Sequence, residues 1–547
     1  MAAGAMEHAL KGGTITTGRI FSFDSTNFIR FPGRPPAELH LIFDTLLVSR
    51  DSPGVYHGLL AKDMKVSSDF SEVSFVIDSS ARWHDDTAVT AEDVVFTFDT
   101  LAKFGGPAFG PMLKTVEVKL VDASTVSFRR PNAETWNWIG QIGTFPIQSK
   151  AFWQTRDPSK QSLDPPLGSG PYRVANIDLD RVFSLERATS YWAADHPVNR
   201  GLYNFDRIEL ELFYDHAVMR EALKRGDLDV MREFFPAAWR EGYDSPALRK
   251  GKLVKSAVPR QDAGALVTLT MNLRRAPFTD RRVREALVLA FDEAFYNKIQ
   301  GDLYGLPGSF YGNTRLAARG VAQALERRLL EPFLASLPDG IMDAPAPGGK
   351  NWPMRQRLRT AGKLLDAAGF PVRDGVRVNA ETGEPLILSL VTHPTLANRL
   401  VPYAQGLKRL GVTLEINVVN IATLRQLLND HDFDLTWVTV AYDDPPGRRE
   451  RTHWHSSMKA AGTYGFAGLS SPVADSLLDT MRTSLDEAEI VAAARAFDRF
   501  LRWGLYVIPM WHEDEIWLAY NADLGVGDLN ATAENPLTRW FWKELAD

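Results

Sequence analysis

Two imidazoles flank an indole at His453-Trp454-His455, and an extended chain sets both on one side, the arrangement a bridging metal ion requires. No third ligand stands at a matching spacing, and His512-Glu513 lacks the second histidine four residues on that a zinc-hydrolase helix carries. No metal and no cofactor is therefore expected. Asp443-Asp444 precedes Pro445-Pro446 at the end of an apolar run, which displays two carboxylates on a loop; a plain Asp-Pro turn is the competing reading. Arg448, Arg449 and Arg451 follow at once, either as bidentate partners for carboxylates or phosphates or as a solvated charge run. Trp136, Trp138, Trp437, Trp454 and Trp511 are each core candidates, yet a chain with 14 tryptophans has aromatic surface to spare for an amphipathic organic ligand.

Catalytic signatures are missing elsewhere. Gly168-Ser169-Gly170 lacks the flanking residues of a nucleophile elbow, and no Walker loop or dinucleotide fingerprint occurs. The absence of cysteine removes disulfides, thiolate nucleophiles, thiolate-held metals and a lipidated N-terminal cysteine. A net charge of -6 offers no basic face for nucleic acid. No run of about 18 apolar residues spans a bilayer.

These residues need elements to hold them, and 547 residues exceed what one core supports, so two or more lobes are expected. Thr90-Ala91-Glu92-Asp93 is a capping box ahead of Val94, Val95, Phe98 and Leu101, and the preceding Ser74 to Trp83 run is a strand. Met219, Ala222 and Leu223 share a helix face stopped at Gly226, with a strand at Asp227 to Val230. One long helix is expected from Asp280 to about Lys298, burying Val283, Ala286, Leu287, Ala290 and Phe291 and turning its arginines to solvent. Beyond the proline-rich stretch at Pro338 to Pro353 come a helix around Leu358 to Leu365 and a strand at Leu386–Thr392. A helix at Leu396–Leu410 follows, then a strand at Thr413–Asn420, a helix at Thr423–Leu428 and a strand at Phe433–Ala441. Such alternation is α/β, with a mostly parallel sheet flanked by helices.

Several ordered segments together resemble family 5 of the bacterial extracellular solute-binding proteins, the peptide/nickel-binding group. They are Lys11-Gly12-Gly13-Thr14, Ile42-Phe43-Asp44-Thr45-Leu46, Ala81 through Thr87 with Thr90 through Phe96, Gly168-Ser169-Gly170-Pro171-Tyr172, and Asn272 with Pro277-Phe278 and Arg282 to Leu287. Pro446 to Arg451 with Trp454, Phe310-Tyr311 and Leu330-Glu331-Pro332 resemble its YejA-type branch, associated with oligopeptides, microcin C-like conjugates and murein peptides.

The resemblance implies a periplasmic-binding-protein-like Venus flytrap of two lobes, with an extra α/β domain on the first lobe (cluster C type). Lobe I would comprise residues 13–55, 178–265 and 515–547, the extra domain 56–177, and lobe II 266–514, with crossings near 265 and 514. It implies a monomer that closes on a peptide-like ligand and is read by an ABC permease at the inner membrane. Ala3-Gly4-Ala5 resembles the end of a removed signal peptide, which would place the protein in the periplasm; an added leader is the competing reading. The ligand-binding residues implied are Asn272, Trp437, Tyr442, Asp443, Asp444, Arg448, Trp454 and Trp511. The family's oligopeptide binders pair the peptide ammonium with an acid where Ala441 stands here, so that ion pair is missing. A nickel chelate, haem or oligosaccharide is the alternative cargo, and an extracytoplasmic hydrolase the alternative class.

Overall fold

The computed structural model describes residues 10–20, 23–29, 34–49, 55–105, 113–131, 137–260, 263–305, 308–312, 314–347, 352–442, 444–460, 462–527, 537 and 541–543. Residues 3–5, on which the signal-peptide reading rests, and Asp443 lie outside them, as does the side chain of Arg448. Contacts divide the chain into two units, Met1–Gln261 with Glu515–Asp547, and Asp262–Asp514.

In the first unit a seven-stranded sheet runs in the order Leu253–Pro259, Glu515–Asn521, Val230–Glu233, Thr14–Ile20, Arg207–Phe213, Val182–Arg187, Tyr172–Asp178. Thr14–Ile20 lies parallel to both Arg207–Phe213 and Val230–Glu233; the other pairs are antiparallel. One face buries Ile15, Phe183, Leu185, Ile208, Leu210, Val230 and Leu518 around Leu39 and Ile42. Four antiparallel strands, Ala61–Val66, Glu72–Ile77, Thr125–Arg129 and Glu117–Leu120, make a second sheet.

Helix Ala91–Phe104 packs its Val94, Phe98 and Leu101 into the core shared with that second sheet. Its start is the expected capping box, with the Thr90 amide donating to Asp93 Oδ2 at 2.9 Å. The glycine-proline turn is a backbone clasp. The His84 amide donates to the Gly168 carbonyl at 2.8 Å, and the Gly170 amide to that of Ile42 at 2.9 Å. A Cβ on Gly168 would stand 1.9 Å from the Ile42 carbonyl oxygen, so no side chain fits. Gly168→Ala is expected to cost at least about 1 to 3 kcal/mol, the usual range for overpacking. An unchanged denaturant midpoint would contradict the clasp.

The second unit carries a five-stranded mixed sheet in the order Thr413–Val418, Ile387–Thr392, Leu435–Val440, Ala265–Met271, Val507–Glu513. The first three strands are parallel and are linked by helices Pro394–Lys408 and Ile421–Asp430, in the alternation read from sequence; the last two strands add antiparallel.

Two expectations are corrected here. The single helix over 280–298 is two, Arg281–Ala290 and Glu293–Ile299. Phe291 turns extended, and Asp292 restarts the second helix by accepting from the Phe295 amide at 3.0 Å. Its arginines do not all face solvent. Arg284 is buried and donates to the carbonyls of Gly504, Phe278 and Thr279, which consumes the polar head while its stem packs inside.

Candidate functional site

In an open α/β sheet the C-terminal ends of parallel strands leave backbone and side chains unshared with the next turn, and ligands bind there. In the second unit those ends are Thr392, Val418 and Val440. Trp437 pairs in register with Leu269, and Trp511 with Val267, so both indoles stand on one sheet face. Thr392 belongs to the same row, one residue beyond the paired Val391 and Thr436.

An aromatic cluster forms on this face. Tyr304 stacks on Trp511 with centroids 5.3 Å apart and planes at 14°, Tyr296 follows at 6.4 Å, and Trp437 meets the same indole edge-on at 5.0 Å. The Arg399 guanidinium, from helix Pro394–Lys408, lies 5.7 Å from the centre of the Trp511 ring. Trp511 is buried and Trp437 half-buried. Two buried polar atoms here, Trp511 Nε1 and Thr392 Oγ1, have no hydrogen-bond partner. Each such atom costs about 1 to 3 kcal/mol until something bonds it.

The other implied residues fall into separate groups. Asn272 is wholly buried; its amide donates to the carbonyls of His431 at 3.0 Å and Phe433 at 2.9 Å, and its oxygen accepts from Arg274, bracing the start of strand Leu435–Val440. Tyr442 and Trp454 lie in the core on the opposite side of the sheet, packed with Phe310 and joined by a hydrogen bond from the Trp454 indole to the Tyr442 hydroxyl. Asp444 is held bidentately by Arg315, at 2.8 and 3.0 Å, and Arg315 also pairs with Glu487. These carboxylates hold the guanidinium's pKa above its ordinary value. At Ala441 the backbone carbonyl accepts from Arg449 Nη1 at 3.0 Å. The sequence reading named neither Tyr296, Tyr304 and Arg399 nor Thr392 for this site. Their separation along the chain left only the excess of aromatics as a signal.

The histidine pair is not in extended chain. His453 lies in helix Arg448–Trp454, beside the Tyr442 ring, while His455 follows the helix and faces Asp475. Among the described residues no group of three or more His, Cys, Asp or Glu could hold a metal ion. Burial, and secondarily the Arg449 charge, push the His453 pKa down to about 4 from 6.5. The unfolded chain therefore binds the extra proton between those values. The neutral ring's contribution is fully present above about pH 6.5 and falls by about 3 kcal/mol as pH drops to 4. The difference in unfolding free energy between the protein and its H453Q variant should shift by that amount from pH 7 to pH 4. A difference independent of pH would contradict the buried neutral ring.

The fold is that of a periplasmic solute-binding protein. It matches the ABC transporter-associated periplasmic binding protein DppA of Helicobacter pylori, solved with the peptide STSA, with a TM-score of 0.77 over 98% of this chain and 99% of that one at 16% identity. YejA of Escherichia coli strain K12 is 33% identical over 526 residues, covering 94% of this chain and 86% of YejA. The peptidoglycan-binding protein YepA of Agrobacterium fabrum strain C58 is 29% identical over 560 residues, covering 97% and 90%. Residues 55–457 match the sequence model of the middle region of the bacterial extracellular solute-binding proteins, family 5, and the chain belongs to that family. No helix among the described residues is long and apolar enough to cross a membrane.

Proposed function

We propose that the protein captures short peptides, modified and acidic ones such as murein peptides among them, outside the cytoplasm. It passes them as a monomer to an ABC permease and turns nothing over. The observation that carries the reading is the face at the strand ends: half-buried Trp437, stacked Trp511, and the two unpartnered buried atoms, Trp511 Nε1 and Thr392 Oγ1. A peptide supplies what that face lacks, an apolar body with carbonyl acceptors and amide donors at close spacing. The cargo class is supported by DppA, solved with a peptide, and by YepA, named for peptidoglycan. With Ala441 in place of an acid, that position offers a peptide ammonium no carboxylate, so the peptide is held by other means. Trp437 and Trp511 are its contacts here, with Asp444 fixing the adjoining loop.

Heating the protein with candidate ligands tests this, because a ligand that binds only the native state raises the melting temperature by mass action. The murein tripeptide L-Ala-γ-D-Glu-meso-diaminopimelate at about 100 times its Kd should raise it by several degrees, from about 2.7 kcal/mol of added stability. A rise with nickel-histidine, haem or an oligosaccharide, and none with any peptide, sinks the proposal.

A further inference from the structure

Strand Ile387–Thr392, in the second unit, buries Leu388, Leu390 and then Thr392 on the face it shares with Trp437, each no more than 1% exposed. Two leucines are thus followed by a residue that differs from valine, in shape, only by a hydroxyl. That hydroxyl has no hydrogen-bond partner. The other buried threonines of the same sheet are bonded. Thr268 donates to the Val438 carbonyl at 3.0 Å, Thr436 to the Val391 carbonyl at 3.4 Å, and Thr270 shares a bond with the Thr268 hydroxyl at 3.4 Å.

The position of Thr392 gives the lone hydroxyl a neighbour that reaches solvent. One residue beyond the paired Val391 and Thr436, Thr392 comes beside half-buried Trp437. Trp437 in turn meets Trp511 edge-on at 5.0 Å, and Trp511 Nε1 is also buried without a partner. Polar atoms with nothing to bond therefore stand on both sides of Trp437. A buried hydroxyl left unbonded destabilises the folded chain, and strand formation gives nothing back, since valine suits a strand as well as threonine does. Stability given up at a single side chain is the usual mark of a group kept for binding.

We propose that Thr392 is a specificity-determining residue of this site, its hydroxyl reserved for a main-chain carbonyl of the peptide, while Trp511 Nε1 donates to a second carbonyl across the Trp437 ring. An extended peptide presents carbonyls on one side about every 7 Å, enough to step over an indole. The inference rests on the peptide reading and refines it. The bonds go to groups that every peptide carries, so the site tolerates varied side chains.

The test titrates the murein tripeptide and trialanine, which share peptide bonds but not side-chain carboxylates, into the protein, T392V and T392S, beside thermal melts of the ligand-free proteins. T392V should bind both peptides about fivefold or more weakly, the worth of one neutral hydrogen bond. Its ligand-free form should nevertheless melt higher than the unaltered protein, because the shape is kept and the unbonded hydroxyl is gone. T392S, which keeps the hydroxyl, should recover most of the affinity. A purely structural threonine would lower stability and affinity together. A T392V that binds either peptide as tightly as the unaltered protein does, or that melts no higher, overturns the proposal. Binding of the murein tripeptide without trialanine to the unaltered protein overturns the main-chain assignment. If neither peptide binds the unaltered protein, the peptide reading itself falls and takes this one with it.

Discussion

Replacing Trp437 with alanine is expected to weaken binding of the murein tripeptide about 30-fold or more, roughly 2 kcal/mol, the range of an aromatic anchor at an interface. The size follows from position. Trp437 is the half-buried member of the cluster, its edge on the Trp511 ring at 5.0 Å, at the end of the sheet where two buried polar atoms await partners. Its removal takes away ligand-facing area and lets water reach Trp511 Nε1, which removes the advantage a ligand acceptor has there. Because Trp437 is not fully enclosed, the melting temperature should fall by only a few degrees. Calorimetric titration beside a thermal melt separates the two effects. Unchanged affinity in a folded W437A variant would exclude this face as the peptide site.

The largest effect on stability is expected at Glu326. Helix Glu487–Gly504 leads into strand Val507–Glu513, which carries Trp511, and its Arg499 is buried against Glu326 of helix Ala324–Leu330 at 3.1 Å. Removing one partner of such a pair leaves an uncompensated buried charge, at a cost of about 3 to 5 kcal/mol. For a unit of this size Glu326→Ala should lower the melting temperature on the order of 10 °C. Adding Arg499→Met to it should restore much of the loss, since an apolar side chain of similar length needs no counter-charge. A double variant no more stable than the single one would show that the loss comes from packing.

Elements with strong local signals were legible in the sequence. The Thr90 capping box, the Gly226 stop and the strand-helix alternation from Ile387 to Val440 each rest on contacts within a few residues. The failures share a cause in tertiary contact. Arg284 looks like a solvent-facing residue until carbonyls from Phe278, Thr279 and Gly504 surround it, and Gly504 is remote in sequence. The spacing of His453-Trp454-His455 reads as extended chain because a histidine pair around a tryptophan carries no helix signal; the turn is set by Glu450, which accepts from the Gly447 amide at 2.8 Å. The site was only partly legible for the same reason. Trp437 and Trp511 were named from residue type, whereas Tyr296, Tyr304 and Arg399 reach them from helices and loops far along the chain.

The most direct test of the central claim is native mass spectrometry of the protein purified without unfolding. A co-purified species whose mass and fragmentation give a short peptide bearing free carboxylates is the predicted result. A bound oligosaccharide, haem or metal chelate, with no peptide, would contradict it.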